Sequence, residues 1–92
     1  MGKAVPVVKV ILDKERTMRL DLNALEAFED LTGKQMHEMG DKPKVKDLKA
    51  LVWASLLHED EQLTIKQVGA MVHVGNLEEM TQAVTELLTK ND

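Results

Sequence analysis

Apolar and polar positions change period once along this chain. Val5, Val7, Val8, Val10 and Leu12 form a run rich in β-branched side chains, with Lys9 and Asp13 on the polar phase, which predicts a strand. Pro6 is tolerated at the start or edge of such a strand. Asp13-Lys14-Glu15-Arg16 supplies a reversal without a turn-fixing glycine, and Thr17 to Leu20 a return strand with Met18 and Leu20 on one face. A ribbon this short is marginal alone, so it must lie on the rest of the chain or pair with another copy.

From Asp21 onward the period is helical. Asp21 or Asn23 can cap a helix whose stripe is Ala24, Leu25, Ala27, Phe28 and Leu31, with Glu26, Glu29 and Asp30 facing away and Gly33 as its stop. Lys34 to Met39 adds one loose turn, and Gly40-Asp41-Lys42-Pro43 breaks the chain. A second helix runs from Val45 or Lys46 to His58. Its stripe of Val45, Leu48, Leu51, Val52, Trp53, Leu56 and Leu57, with Ala54, is wide enough for a central helix contacted on several sides. Trp53 reads first as a core anchor and second as a partner hot spot.

His58 to Gln62 is a polar loop. Thr64 with Gln67 makes a capping box, stapled by Leu63 and Val68, and Ile65, Val68, Met71 and Val72 form the inner side of a third helix. His73-Val74-Gly75 closes it, and Asn76 with Glu79 makes a second capping box. The last helix, Leu77 to Leu88, carries a stripe of Leu77, Met80, Ala83, Val84, Leu87 and Leu88. The expected fold is α+β: one domain over residues 1–92, with an N-terminal β-hairpin (1–20) followed by a compact cluster of four short helices (21–92).

Composition narrows the chemistry. Phe28 and Trp53 are the only aromatic residues, so the core must be built from Leu, Val, Met and Ala, and six Met residues make it or a partner surface easy to re-pack. Cys is absent, which removes disulfides and thiolate sites. The N-terminal apolar run reads as neither a signal peptide nor a membrane span. Net charge is −4, divided as +3 over residues 1–20, −5 over 21–64 and −2 over 65–92, a balance that disfavours nucleic acid. His37, His58 and His73 follow no metal-ligand spacing, and Ser55 sits inside an apolar helix rather than in a nucleophile motif. Neither catalysis, a cofactor nor a metal is expected. Thr64 to Val84 has a helix-turn-helix outline. Its second helix opens Asn76-Leu77-Glu78-Glu79 and has no cation before Lys90, so it lacks the donors a DNA reader needs.

The segment Leu20-Asp21-Leu22-Asn23-Ala24-Leu25-Glu26-Ala27-Phe28-Glu29-Asp30-Leu31-Thr32-Gly33-Lys34, behind a hairpin holding Lys14-Glu15-Arg16-Thr17, resembles the tail assembly chaperones of long-tailed bacteriophages and prophages. Leu48-Lys49-Ala50-Leu51-Val52-Trp53-Ala54-Ser55-Leu56-Leu57-His58-Glu59-Asp60 continues the resemblance. So do Leu63-Thr64-Ile65-Lys66-Gln67-Val68-Gly69 and Asn76-Leu77-Glu78-Glu79. The resemblance implies a non-catalytic protein of the host bacterial cytoplasm, not retained in the mature virion. Such a protein binds the tape measure protein, keeps it soluble and helps recruit tail tube protein, the last through a longer frameshifted form. This chain corresponds to the short, non-frameshifted form. The alternatives are a small helix-turn-helix-like DNA-binding regulator or a phage-encoded inhibitor of a host protein.

Two sets of residues are candidates for partner contact. Phe28, Met36, Met39, Trp53 and Leu57 are proposed to line an adaptable client groove. Val5, Val7, Val8, Lys9, Val10, Arg16 and Arg19 are proposed as a homo-oligomer interface, with an apolar strand edge extended across a subunit boundary and cations meeting acids of a neighbour.

Overall fold

Asp21 opens the helical body as a true N-cap, its carboxylate accepting from the Ala24 N–H at 2.9 Å. In a computed structural model that describes residues 4–39 and 43–89, the element order is β1 (Val7–Ile11), β2 (Glu15–Arg19), α1 (Leu22–Thr32), a 3₁₀ turn (Met36–Met39), α2 (Val45–Leu56), α3 (Ile65–Met71) and α4 (Leu77–Thr89). The α+β class, hairpin first and helices after, is the one the sequence pattern predicts. The chain break at Gly40–Lys42 lies outside the described residues.

The hairpin is antiparallel, pairing Val8 with Met18 and Val10 with Arg16. Its reversal is tighter than expected. Leu12 to Lys14 make the bend, with the Leu12 N–H donating to the Lys14 carbonyl at 3.0 Å, so Glu15 and Arg16 belong to β2 rather than to the turn. The register places Val8, Val10, Arg16 and Met18 on one buried face. That face lies on the helices: β2 contacts α2 and β1 contacts α4. Of the two ways to stabilise an isolated ribbon, this molecule uses its own helices.

α2 is the central element, touching α1, α3, α4 and β2, as its wide apolar stripe predicts. Leu51, Val52 and Leu56 are fully buried, and Ala50 and Ala54 let neighbours approach closely. α2 ends at Leu56, short of the expected His58, because the chain tightens there and His58 and Glu59 turn back toward the hairpin. α1 runs antiparallel to α2. Ala24, near its start, shares a recess with Ala54 and Leu57, and Lys34, just beyond its end, bonds buried Asp47 at 2.8 Å. α1 buries only Ala24 and Phe28, so Leu31, expected on its inner stripe, is 44% exposed.

Gly33 ends α1 at φ 72°, a left-handed conformation that costs other residues roughly 1–2 kcal/mol. The capping box of α3 forms as predicted: Thr64 Oγ1 accepts from the Gln67 N–H and Gln67 Oε1 from the Thr64 N–H. Asn76 is used differently from expectation. Its side chain reaches backward, accepting from the His73 N–H at 2.8 Å and donating to the Met71 carbonyl at 2.9 Å, which pins the α3–α4 corner.

Candidate functional site

The five residues proposed for a client groove divide by burial. Phe28 is completely buried and Met39 nearly so, which makes both supports of the protomer's interior. Their apolarity at helical spacing has the same sequence signature whether it serves a core or a groove. Met36, Trp53 and Leu57 are half-buried, and Met36 and Trp53 pack against the core. The indole of Trp53 donates to the Leu63 carbonyl at 2.9 Å, tying α2 to the segment that leads into α3. Met36 and Leu57 lie toward opposite ends of the antiparallel α1–α2 pair, so the fold does not gather the five residues into one concavity.

The hairpin candidates divide as well. The side chains of Val8, Val10 and Arg16 point inward and are buried within the protomer. Strand alternation is the physical reason, because one face of a two-stranded ribbon must cover the helices. Val5, Val7, Lys9 and Arg19 remain exposed. Arg16 forks onto Asp13 at 2.8 and 2.9 Å. This hydrogen-bonded pair holds the Asp13 carboxyl at about 2 and raises the Arg16 pKa. The outer edge of β2 is covered from within: Glu59 Oε2 accepts from the Thr17 N–H at 3.0 Å and His58 Nε2 donates to the Thr17 carbonyl at 2.7 Å. Two side chains of the α2–α3 loop thus take the place of a third strand.

Sequence reading missed an apolar concavity. Val45, Leu48, Lys49 and Val52 of α2, Gly69 of α3, Val72, His73 and Val74 of the corner, and Leu77 of α4 line a groove of about 350 Å³. Leu48 and Val52 form a buried floor, whereas Val45 is 70%, Val74 94% and Leu77 37% exposed at its mouth. Gly69 lets the Lys49 stem lie across α3, since a Cβ there would stand 3.1 Å from Lys49 Cδ. One signal was present in the sequence: Val74 sits in a turn, where an apolar side chain serves no helix face. Among the described residues no group of three or more His, Asp or Glu is placed to hold a metal ion, and no helix is long and apolar enough to cross a membrane.

A family model described as "Phage tail tube protein, GTA-gp10" matches residues 6–91 of the chain. No curated protein and no solved structure gives a match.

Proposed function

The chain belongs to this phage tail tube and tail assembly chaperone-like family, and on that premise we propose that it is a non-catalytic tail assembly chaperone. Its client is the tape measure protein, which it binds in the host bacterial cytoplasm and keeps soluble. A longer form recruits tail tube protein, and neither form stays in the mature virion. The observation that carries this reading is the family match across nearly the whole chain. The surface supports it, because Leu22, Leu31, Val45, Val74 and Leu77 expose apolar side chains on helices and at their ends, which suits contact with another protein's helices. Met36, Trp53 and Leu57 are the half-exposed residues assigned to the client.

Co-expression tests the proposal. The tape measure protein should be insoluble alone and soluble, in a fixed ratio, with this chain. Alanine at Met36 or Leu57 should weaken that complex by more than any fall in melting temperature accounts for. An equal drop in melting temperature would instead assign these residues to the core. Purified tails should lack the chain. Its presence there at the copy number of tube subunits would make it a structural tube protein and overturn the chaperone reading.

A further inference from the structure

We propose that the groove between α2 and the α3–α4 corner seats an amphipathic helix of the client whose apolar stripe is flanked by Asp and Glu. The assignment rests on the chaperone function proposed for the chain, and adds to it where the client docks and what chemistry its segment carries. Leu48 and Val52 make the floor of the groove, and Val45, Val74 and Leu77 its exposed mouth. Along α2 the lining runs from Val45 to Val52, about 10 Å at the helical rise. A docked helix presents anchors at i, i+3 or i+4 and i+7 over that length. All the lining comes from helices and their corner, with no strand edge to pair an extended peptide.

The charges around this slot have one sign. Lys49 lines it, with its stem laid across α3 at Gly69, where a Cβ would stand 3.1 Å from Lys49 Cδ and 3.7 Å from Nζ. Glycine inside a helix is destabilising; here it leaves room for that stem. Lys46 stands one turn before Lys49 on α2, and Lys66 one turn before Gly69 on α3, both exposed. None of these three lysines makes an ion pair among the described residues. Acids of the same elements are directed elsewhere. Asp47 is buried against Lys34 at 2.8 Å, and Glu79 lines a recess between α4 and the hairpin. Glu78 is exposed beside Leu77 but does not line the groove. His73 is engaged by its own corner, its Nδ1 accepting from the Gly75 N–H at 3.0 Å. In a chain of net charge −4, an apolar slot rimmed by lysines selects a segment that carries carboxylates.

Both halves of the site constrain the occupant. Nucleic acid would match the lysines and gain nothing from the floor of Leu48 and Val52, whereas a wholly apolar helix would leave the lysines unmatched. The groove opens on the side of α2 carrying Val45, Lys49 and Val52, away from the side carrying Asp47 and Ala54 on which α1 packs. It is therefore separate from Met36 and Leu57, and the client is engaged at two surfaces.

Photo-crosslinking in the co-expressed complex tests the assignment. A genetically encoded benzophenone side chain in place of Val74, which is 94% exposed, reports what occupies the groove mouth. Crosslinks should fall on tape measure segments in which apolar residues recur at helical spacing beside Asp or Glu. A fluorescent peptide of such a segment, roughly 20 residues long and so above the length at which an isolated helix is marginal, then serves as the probe. Val74→Asp should weaken its binding roughly tenfold, because the contact would bury an unpaired carboxylate. Lys46→Glu with Lys49→Glu should weaken it comparably and flatten its salt dependence. Leu22→Asp, on the exposed face of α1, should leave it unchanged, and circular dichroism verifies that each variant folds. Crosslinks only to a second copy of the chain, or to segments without flanking acids, overturn the assignment. So does peptide affinity that ignores both groove variants, or that falls equally with Leu22→Asp; in these cases the complex persists and the chaperone function stands. Absence of any complex between the wild-type chain and the tape measure protein removes that function and the groove assignment together.

Discussion

Trp53 illustrates what a single side chain contributes here. Phenylalanine at this position keeps most of the apolar contact and deletes the donor to the Leu63 carbonyl. The expected loss is about 1 kcal/mol, read as a fall in melting temperature of roughly 4–8 °C for a domain this size. Gly33→Ala tests the backbone instead. A Cβ there meets nothing within 4 Å, so any loss of stability comes from the left-handed φ alone. Asp13 gives a pH dependence. Its hydrogen bond to Arg16 lowers its folded pKa from the usual 3.8 to about 2, so its stabilisation is present above the unfolded value and disappears as pH falls between the two. Asp13→Asn should flatten the acid limb of the stability–pH curve over that window, as measured by urea unfolding at each pH. An unchanged limb would mean that the pair contributes nothing in solution.

Elements differ in how far they stand alone. α3 has seven residues, below what an isolated helix can sustain, and depends on its capping box and on Val68. Thr64→Ala should cost about 1 kcal/mol and, by hydrogen exchange, loosen α3 before the other helices. Uniform loosening would show that α3 is held by the core rather than by its cap. The capping box was legible because both partners lie within four residues of each other. The role of Asn76 was not: the same Asn-to-Glu spacing accompanies a side chain that turns backward to Met71 and His73. The hairpin turn was misplaced for a related reason. Asp13-Lys14-Glu15-Arg16 is polar throughout, and the bond that sets the bend, Leu12 to Lys14, leaves no mark on polarity.

For the whole molecule, burial separates residues that sequence could not distinguish. Phe28 and Leu22 are both large apolar residues of α1, one completely buried and the other 80% exposed. Phe28→Ala should cost roughly 3–5 kcal/mol, a large share of the ~5–15 kcal/mol that holds a domain together. Leu22→Asp should leave the melting temperature nearly unchanged. A comparable loss in both variants would contradict the arrangement of α1 on α2. At this scale the hairpin is also explained. It is held at two places, by α2 and α4 under its inner face and by His58 and Glu59 along the edge of β2. Truncating it would uncover the faces of α2 and α4 on which it lies rather than merely remove an interaction arm.

Period and local chemistry alone determined the element order, the α+β class, a cap at Asp21 or Asn23, the stop at Gly33, the α3 capping box and the central rank of α2. These follow from spacings of a few residues, and short-range geometry is written directly in sequence. The family resemblance was legible in the same stretches, since capping and stripe residues carry it. Tertiary structure alone decided which apolar residues face inward, because the same stripe describes a core, a groove or an exposed ridge until its neighbours are placed. It moved Val8, Val10, Arg16 and Phe28 inside and left Leu22, Val45 and Val74 outside. It also brought α2, α3 and α4 together around a groove whose two sides come from residues 45–52 and 69–77, a separation over which no periodicity reports.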